Sequence, residues 1–178
     1  MSLFLFETIF KEEDQQKEVV EQKIEAIQER VTNKGAAFIE AQIAKDLSQA
    51  FFIIETVDTD TVVELFDQEQ ITVGLTKEVR LLGEQLEDVK KQKDVVNYLV
   101  EWNLPENLTM EQYLKRKEKN SVHYAEVPEV SFARTYVCED MTKCLCFYDA
   151  PDQSTVEKAR EAVQAPIDAI TELNQDRK

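Results

Sequence analysis

A chain of 178 residues has room for one large domain or two small ones, and 43% hydrophobic content is enough for packed cores. Its net charge of −15 disfavours nucleic acid and anionic membrane surfaces, which recruit clustered Lys and Arg, and no apolar run approaches the ~20 residues of a membrane span. Three cysteines in an acidic chain, with no basic leader over Met1-Ser2-Leu3-Phe4, point to free thiols and a cytoplasmic protein.

The first predicted strand is Leu3 to Phe10, broken by Lys11 to Asp14. A helix follows from about Gln15 to Thr32, with the apolar stripe Val20, Ile24, Ile27 and Val31. Gly35 suits a left-handed cap after it. Ala36 to Ala44 and Ala50 to Val57 alternate as strands around a polar turn. Asp58 is a natural N-cap for a helix through Val62, Leu65 and Phe66, and Thr76 to Leu82 is a last strand before Gly83. Glu84 to Asp94 is charged, without a clear apolar face, and reads as a helical linker. Beyond it come a strand over Val95 to Trp102 and a helix over Thr109 to Asn120 whose Thr109 and Gln112 make a capping box. Strands over Ser131 to Cys138 and Lys143 to Asp149, a helix over Asp152 to Val163 and a strand over Ile167 to Leu173 complete the chain.

The second half repeats the first at a spacing of 94 residues: Leu5 matches Leu99, Glu7 matches Glu101, Asp58 matches Asp152 and Val62 matches Val156. That period is too long for a solenoid and suits a small domain. Each half has the order βαββαβ, the split-βαβ, ferredoxin-like plait. The expected fold is therefore α+β, with two ferredoxin-like repeats at 1–83 and 95–178 around a linker at 84–94. A sheet with helices on one face leaves the other open, so the repeats are expected to pack as a pseudo-dimer resembling a dimeric α+β barrel.

Strand alternation sorts the side chains. Ala133, Thr135 and Val137 should share the helix-covered face with Cys144, Cys146 and Tyr148, as should Ile39, Ala41, Ile43, Ala50, Phe52 and Ile54 in the first half. The opposite face should hold Phe38, Glu40, Gln42, Phe51 and Ile53, then Phe132, Arg134, Tyr136, Leu145 and Phe147. Glu7 and Glu101 belong there too. Glu40 and Arg134 occupy matched positions and are expected to pair or to line a cavity between sheets. Glu7, Glu101, Glu40, Arg134 and Tyr136 are thus the candidate ligand-binding residues.

Cys144 and Cys146 share a face and admit three readings: small hydrophobes in a core, soft-metal ligands joined by His123, the only histidine, or a redox or nucleophilic thiol. The glycines form no phosphate-binding fingerprint. The segment from Ser131 to Leu173 carries Cys146, Tyr148, Ala150 and Pro151, then Pro166, Asp168 and Ile170. With the strand near Val95, it resembles the small bacterial nickel-binding-protein-like family. That resemblance implies a ferredoxin-like fold, homodimers, and nickel or another transition metal held by His and Cys. The leading expectation is a non-catalytic protein that binds a small molecule or metal ion. The alternatives are a dimeric α+β barrel enzyme of the cofactor-independent monooxygenase or isomerase type, and a protein-interaction module.

Overall fold

The computed structural model describes residues 1–91 and 95–174. The chain divides into two compact units, one of Met1–Val79 with Leu86–Lys91, the other of Arg80–Gln85 with, among the described residues, 95–174. The tail of the expected linker at 92–94 lies outside the described residues.

In the first unit, β1 (Ser2–Phe10), α1 (Lys17–Asn33), β2 (Ala37–Ile43), β3 (Gln49–Thr56), α2 (Thr59–Gln68) and β4 (Ile71–Leu82) follow one another. The sheet order is β2-β3-β1-β4, with antiparallel ladders throughout. Helix α1 buries Val20, Ile24, Ile27 and Val31, the stripe its sequence spells. Helix α2 starts where the Asp58 carboxylate accepts the Asp60 and Thr61 backbone N–H groups, and it buries Val62, Leu65 and Phe66. Gly35 has φ +82°, the left-handed value that a glycine after a helix supplies.

A short helix, α3 (Leu86–Lys91), follows β4. The second unit then builds β5 (Tyr98–Asn103), α4 (Met110–Ser121) with a 3-10 extension at Val122–Glu126, β6 (Ser131–Cys138), β7 (Lys143–Asp149), α5 (Gln153–Ala162) and β8 (Ala169–Glu172). Its order is β6-β7-β5-β8, again antiparallel. Thr109 and Gln112 form the reciprocal capping box, and Asp152 accepts from Thr155 N to start α5. The α+β class and the ferredoxin-like order of strands within each unit agree with the sequence.

Several boundaries differ, each for a local reason. Strand β4 begins at Ile71 rather than Thr76, because Gln70 takes φ 60° and turns the chain directly out of α2. Gly74 is the extra residue where Glu7 pairs Leu75 and Thr8 pairs Val73, a bulge inside that early stretch. Strand β5 starts at Tyr98, and just before it the Asn97 side chain brackets Ala150, donating to its carbonyl at 2.6 Å and accepting its N–H at 2.9 Å. Strand β8 is shorter than expected.

The faces also need one correction. Phe38 and Phe132 pack against the helix-covered cores, not on the opposite face. The register shifts between Phe38 and Glu40, and again between Phe132 and Arg134. One added residue in each strand, Ile39 or Ala133, restarts the alternation. Beyond the bulges the expected pattern holds: Ala41, Ile43, Ala50, Phe52 and Ile54 join one core, and Val137, Cys144, Cys146 and Tyr148 the other.

Phe52 is fully buried and meets Phe66 edge-on at 4.9 Å and Phe38 at 6.1 Å. Phe52→Ala should cost about 3–5 kcal/mol in urea unfolding, the loss expected for an aromatic cavity. The Asp58 and Asp152 carboxylates are held below the ordinary 3.8, chiefly by the hydroxyls of Thr61 and Thr155. Both therefore favour the folded state above pH 3.8 and lose that contribution as pH falls through their folded-state values. Asp152→Ala should lower the melting temperature at pH 7, and the difference from the wild type should close in acid below that point.

Candidate functional site

Helix α5 carries Val156, Ala159 and Val163 at helical spacing, and Arg160 lies within that same stripe. Asp152 fixes where the helix begins and so aims Arg160 inward. The result is a guanidinium only 2% exposed. Such a charge needs partners, since an unpaired buried cation is strongly unfavourable. Its Nη1 donates to Tyr148 Oη at 3.1 Å and to Cys146 Sγ at 3.3 Å, and its Nη2 to the Pro166 carbonyl at 2.6 Å. Nε has no partner among the described residues. No carboxylate takes part.

Around this cation a polar network occupies the helix-covered core. Thr135 Oγ1 donates to Cys146 Sγ at 3.2 Å, and the Tyr124 and Tyr148 hydroxyls meet at 2.6 Å. Burial pushes the Tyr124 hydroxyl up to about 12 and the Tyr148 hydroxyl well above its usual range, so both stay protonated. The two neighbouring thiols diverge. Hydrogen bonding with Cys144 holds the Cys146 thiol well below the usual range despite burial, helped by the charges of Lys117 and Arg160 and by Thr135. The same hydrogen bond, together with burial, pushes Cys144 up. Cys138 is also raised, by burial.

The network forms the floor of a cleft. Trp102 on β5, Tyr113, Arg116 and Lys117 on α4, Tyr124 on the 3-10 extension, and Cys144, Cys146 and Arg160 are among its walls. It measures about 370 Å³ with its open mouth included, but the void within is only about 30 Å³, room for roughly one water-sized molecule. Among the described residues no Asp or Glu lines it. Arg116 lies 5.2 Å from the centre of the Trp102 ring, and Lys117 Nζ lies 4.4 Å from that of Phe132. The first unit differs at the positions 94 residues earlier. Where the second has Thr135, Cys146, Tyr148 and Arg160, the first has Ala41, Phe52, Ile54 and Phe66, all in its apolar core.

The residues singled out from the sequence separate into groups. Cys144 and Cys146 come together in the cleft. His123 does not join them: its side chain is 45% exposed and bonds Glu126. Glu101 is held by Lys143 Nζ at 2.7 Å, and Arg134 Nη1 reaches Glu84 at 3.1 Å while its guanidinium lies 5.5 Å from the Phe147 ring centre. Tyr136 meets Phe147 edge-on at 6.1 Å. In the first unit, Glu40 accepts from Gln42 Nε2 at 2.9 Å, and Glu7 stands half-buried between Phe51 and Leu75 of the flanking strands. None of these five lines the cleft. Arg160, Arg116, Lys117 and Tyr113, which line the cleft, and Thr135, which donates to Cys146, are not among the candidates read from the sequence. The available signal was Arg160 itself, a charge in an apolar stripe at the position matching Phe66.

Residues 98–173 match the family described as nickel responsive protein SCO4226-like. A comparison with curated proteins finds no match. Among solved structures, "Putative Chlorite dismutase TA0507" is 9% identical with a TM-score of 0.60, covering 98% of this chain and 95% of that one. A "putative monooxygenase from Lactobacillus acidophilus NCFM" is 11% identical with a TM-score of 0.53, covering 99% and 95%. At these identities the likeness is one of fold alone.

Nickel does not fit the residues present. Among the described residues no group of three or more His, Cys, Asp or Glu side chains stands close enough to hold a metal ion. The Cys146 sulfur already faces a guanidinium, which would repel a divalent cation.

Tyr124→Phe removes one hydroxyl of the buried pair and should cost about 0.5–1.5 kcal/mol in denaturant unfolding. Tyr148→Phe should cost more, about 1–3 kcal/mol, because it leaves Arg160 Nη1 without its oxygen acceptor.

Proposed function

We propose that this chain is a non-catalytic binding protein for a small organic anion with a flat apolar body, seated at the open mouth of the second unit's cleft, outside the one-water void at its floor. One observation carries the reading. In a chain of net charge −15, this cleft gathers Arg116, Lys117 and Arg160 beside aromatic rings and admits no carboxylate. Guanidinium and ammonium donors suit a carboxylate or similar anion, and Trp102 and Tyr113 suit a ring.

We also read the two units as copies of one ferredoxin-like domain. The helices α2 (Thr59–Gln68) and α5 (Gln153–Ala162) have bounds 94 residues apart at both ends. The strand bulges after Phe38 and Phe132, the carboxylate caps at Asp58 and Asp152, and the positive φ values at Leu47 with Met141 and Gln70 with Gln164 keep the same spacing. On this reading the first copy is the apolar frame and the second has exchanged part of that filling for a binding site. A catalytic reading draws only on likeness of fold to the two solved structures.

Trp102, the only tryptophan, is a built-in reporter. Benzoate should change its fluorescence saturably. The neutral benzamide and the Lys117→Glu variant should each bind at least about tenfold more weakly, the penalty for losing charge complementarity. Equal binding of the neutral analogue, or no saturation, would sink the proposal. Equilibrium dialysis with nickel should show no stoichiometric uptake that Cys146→Ser abolishes; such uptake would restore the metal reading.

A further inference from the structure

We propose that Cys146 is a modification site: a thiolate that reacts with a small hydroperoxide to give a sulfenic acid, with Arg160 and Thr135 as its positioning residues. The proposal does not rest on organic-anion binding.

The geometry carries it. Arg160 is a buried cation with no carboxylate partner, and the Cys146 sulfur, 3.3 Å from its Nη1, is the one group in its hydrogen-bond shell that can become an anion near neutral pH. The Tyr148 hydroxyl and the Pro166 carbonyl supply dipoles, not charge. Thr135 Oγ1 donates to the same sulfur from the neighbouring strand, so the thiolate is held from two sides. An ionised thiol is the nucleophilic form, and adjacent cations are what keep a cysteine ionised. The Cys146 thiol is lowered chiefly by its hydrogen bond with Cys144, with Lys117, Arg160 and Thr135 adding to it.

The cavity selects the reactant. Cys146 is 1% exposed, yet it lines a void of about 30 Å³, room for little more than one water. Hydrogen peroxide is close to that size, whereas bulky disulfides are not. Arg160 lines the same void and keeps its Nε–H without a partner, a donor for a guest's oxygen. Cys138 lies outside this lining, and Cys144, which shares it, is held as the protonated neighbour.

The step balances with hydrogen peroxide as the named oxidant. The thiolate sulfur attacks one peroxide oxygen, an S–O bond forms and the O–O bond breaks. The sulfur gives two electrons, the transferred oxygen keeps its hydrogen as Cys–SOH, and hydroxide leaves and becomes water with the proton that the thiol released on ionising. The product is neutral, so Arg160 loses its counter-anion. Oxidation therefore weakens the network that joins α5 to β7 and the 3-10 extension.

The test treats the folded, full-length protein with hydrogen peroxide. Samples are then quenched with dimedone under denaturing conditions, and the modified residue is located by tandem mass spectrometry. Cys146 should gain oxygen first, at least about tenfold faster than Cys138, and the rate should persist below the pH at which an ordinary thiol, near 8.5, has protonated. Arg160→Met should slow the reaction at least about tenfold, and Arg160→Lys should recover part of it. Thr135→Val gives a second, milder variant should Arg160→Met fail to fold. Arg116→Gln, which removes a cation of the cleft that is not among the groups acting on Cys146, should weaken benzoate and still leave Cys146 the first thiol oxidised, and this separates the two proposals. Cys146 remaining reduced in the folded protein, or oxidising no faster than Cys138, would overturn the inference.

Discussion

The second unit is organised around a positive charge that cannot reach water. Arg160 lies on the inner face of α5 and is anchored by the Cys146 sulfur, the Tyr148 hydroxyl and the Pro166 carbonyl. Withdrawing a guanidinium from solvent is costly, and the cost is contained only when its donors are satisfied. That requirement fixes the rotamer of Arg160 and the position of Tyr148. Through Tyr148 it places Tyr124, whose hydroxyl meets it at 2.6 Å and whose ring stacks on Phe132 at 5.3 Å. The floor of the cleft is therefore rigid by necessity, while Arg116 and Lys117 stand on α4 nearer its mouth.

The first unit has the same order of strands and helices without that charge. Phe66 holds the helix position that matches Arg160, and Phe52 the strand position that matches Cys146. Their rings meet at 4.9 Å and complete a core of apolar side chains. Replacing two packed rings by a thiol and a guanidinium removes apolar burial and inserts groups that need partners. Such an exchange weakens a core on packing grounds. Interiors that depart from the general pattern in this way concentrate at sites where chemistry or binding requires it. The contrast within one chain makes the second unit the natural place to look.

Much of this frame was legible in the sequence. The stripe of Val20, Ile24, Ile27 and Val31 specifies α1, and the Asp58, Asp152 and Thr109 caps specify three helix starts. Alternation alone put Cys144, Cys146 and Tyr148 on the helix-covered face. It failed at Phe38 and Phe132 because a bulge is set by the twist and pairing of two strands, not by one strand's pattern. The cleft was harder to see. Its lining comes from β5, α4, β7 and α5, and single-segment patterns do not reveal which segments converge. The acidic and aromatic residues of the other face drew attention instead, since they look conspicuous on strands. Arg160 was the one local anomaly, and the matching Phe66 made it meaningful.

The residues that carry the family resemblance can be assigned physical tasks, and those tasks are architectural. Asn97 brackets Ala150 from both sides and so fixes the turn from β7 into α5. The Pro166 carbonyl closes the Arg160 shell, and the Asp168 carboxylate accepts the Asn103 backbone N–H at 2.6 Å, tying the entry of β8 to the end of β5. Only Cys146 and Tyr148 among them reach the chemistry of the cleft. The segment at 98–173 thus matches a nickel-responsive family at residues that here shape the scaffold. On the proposed reading, the charge at the floor decides the ligand: a guanidinium facing a thiol favours an anion or an electrophilic oxygen over a divalent metal. The direction of specificity would then follow from that one buried cation more directly than from the fold that surrounds it.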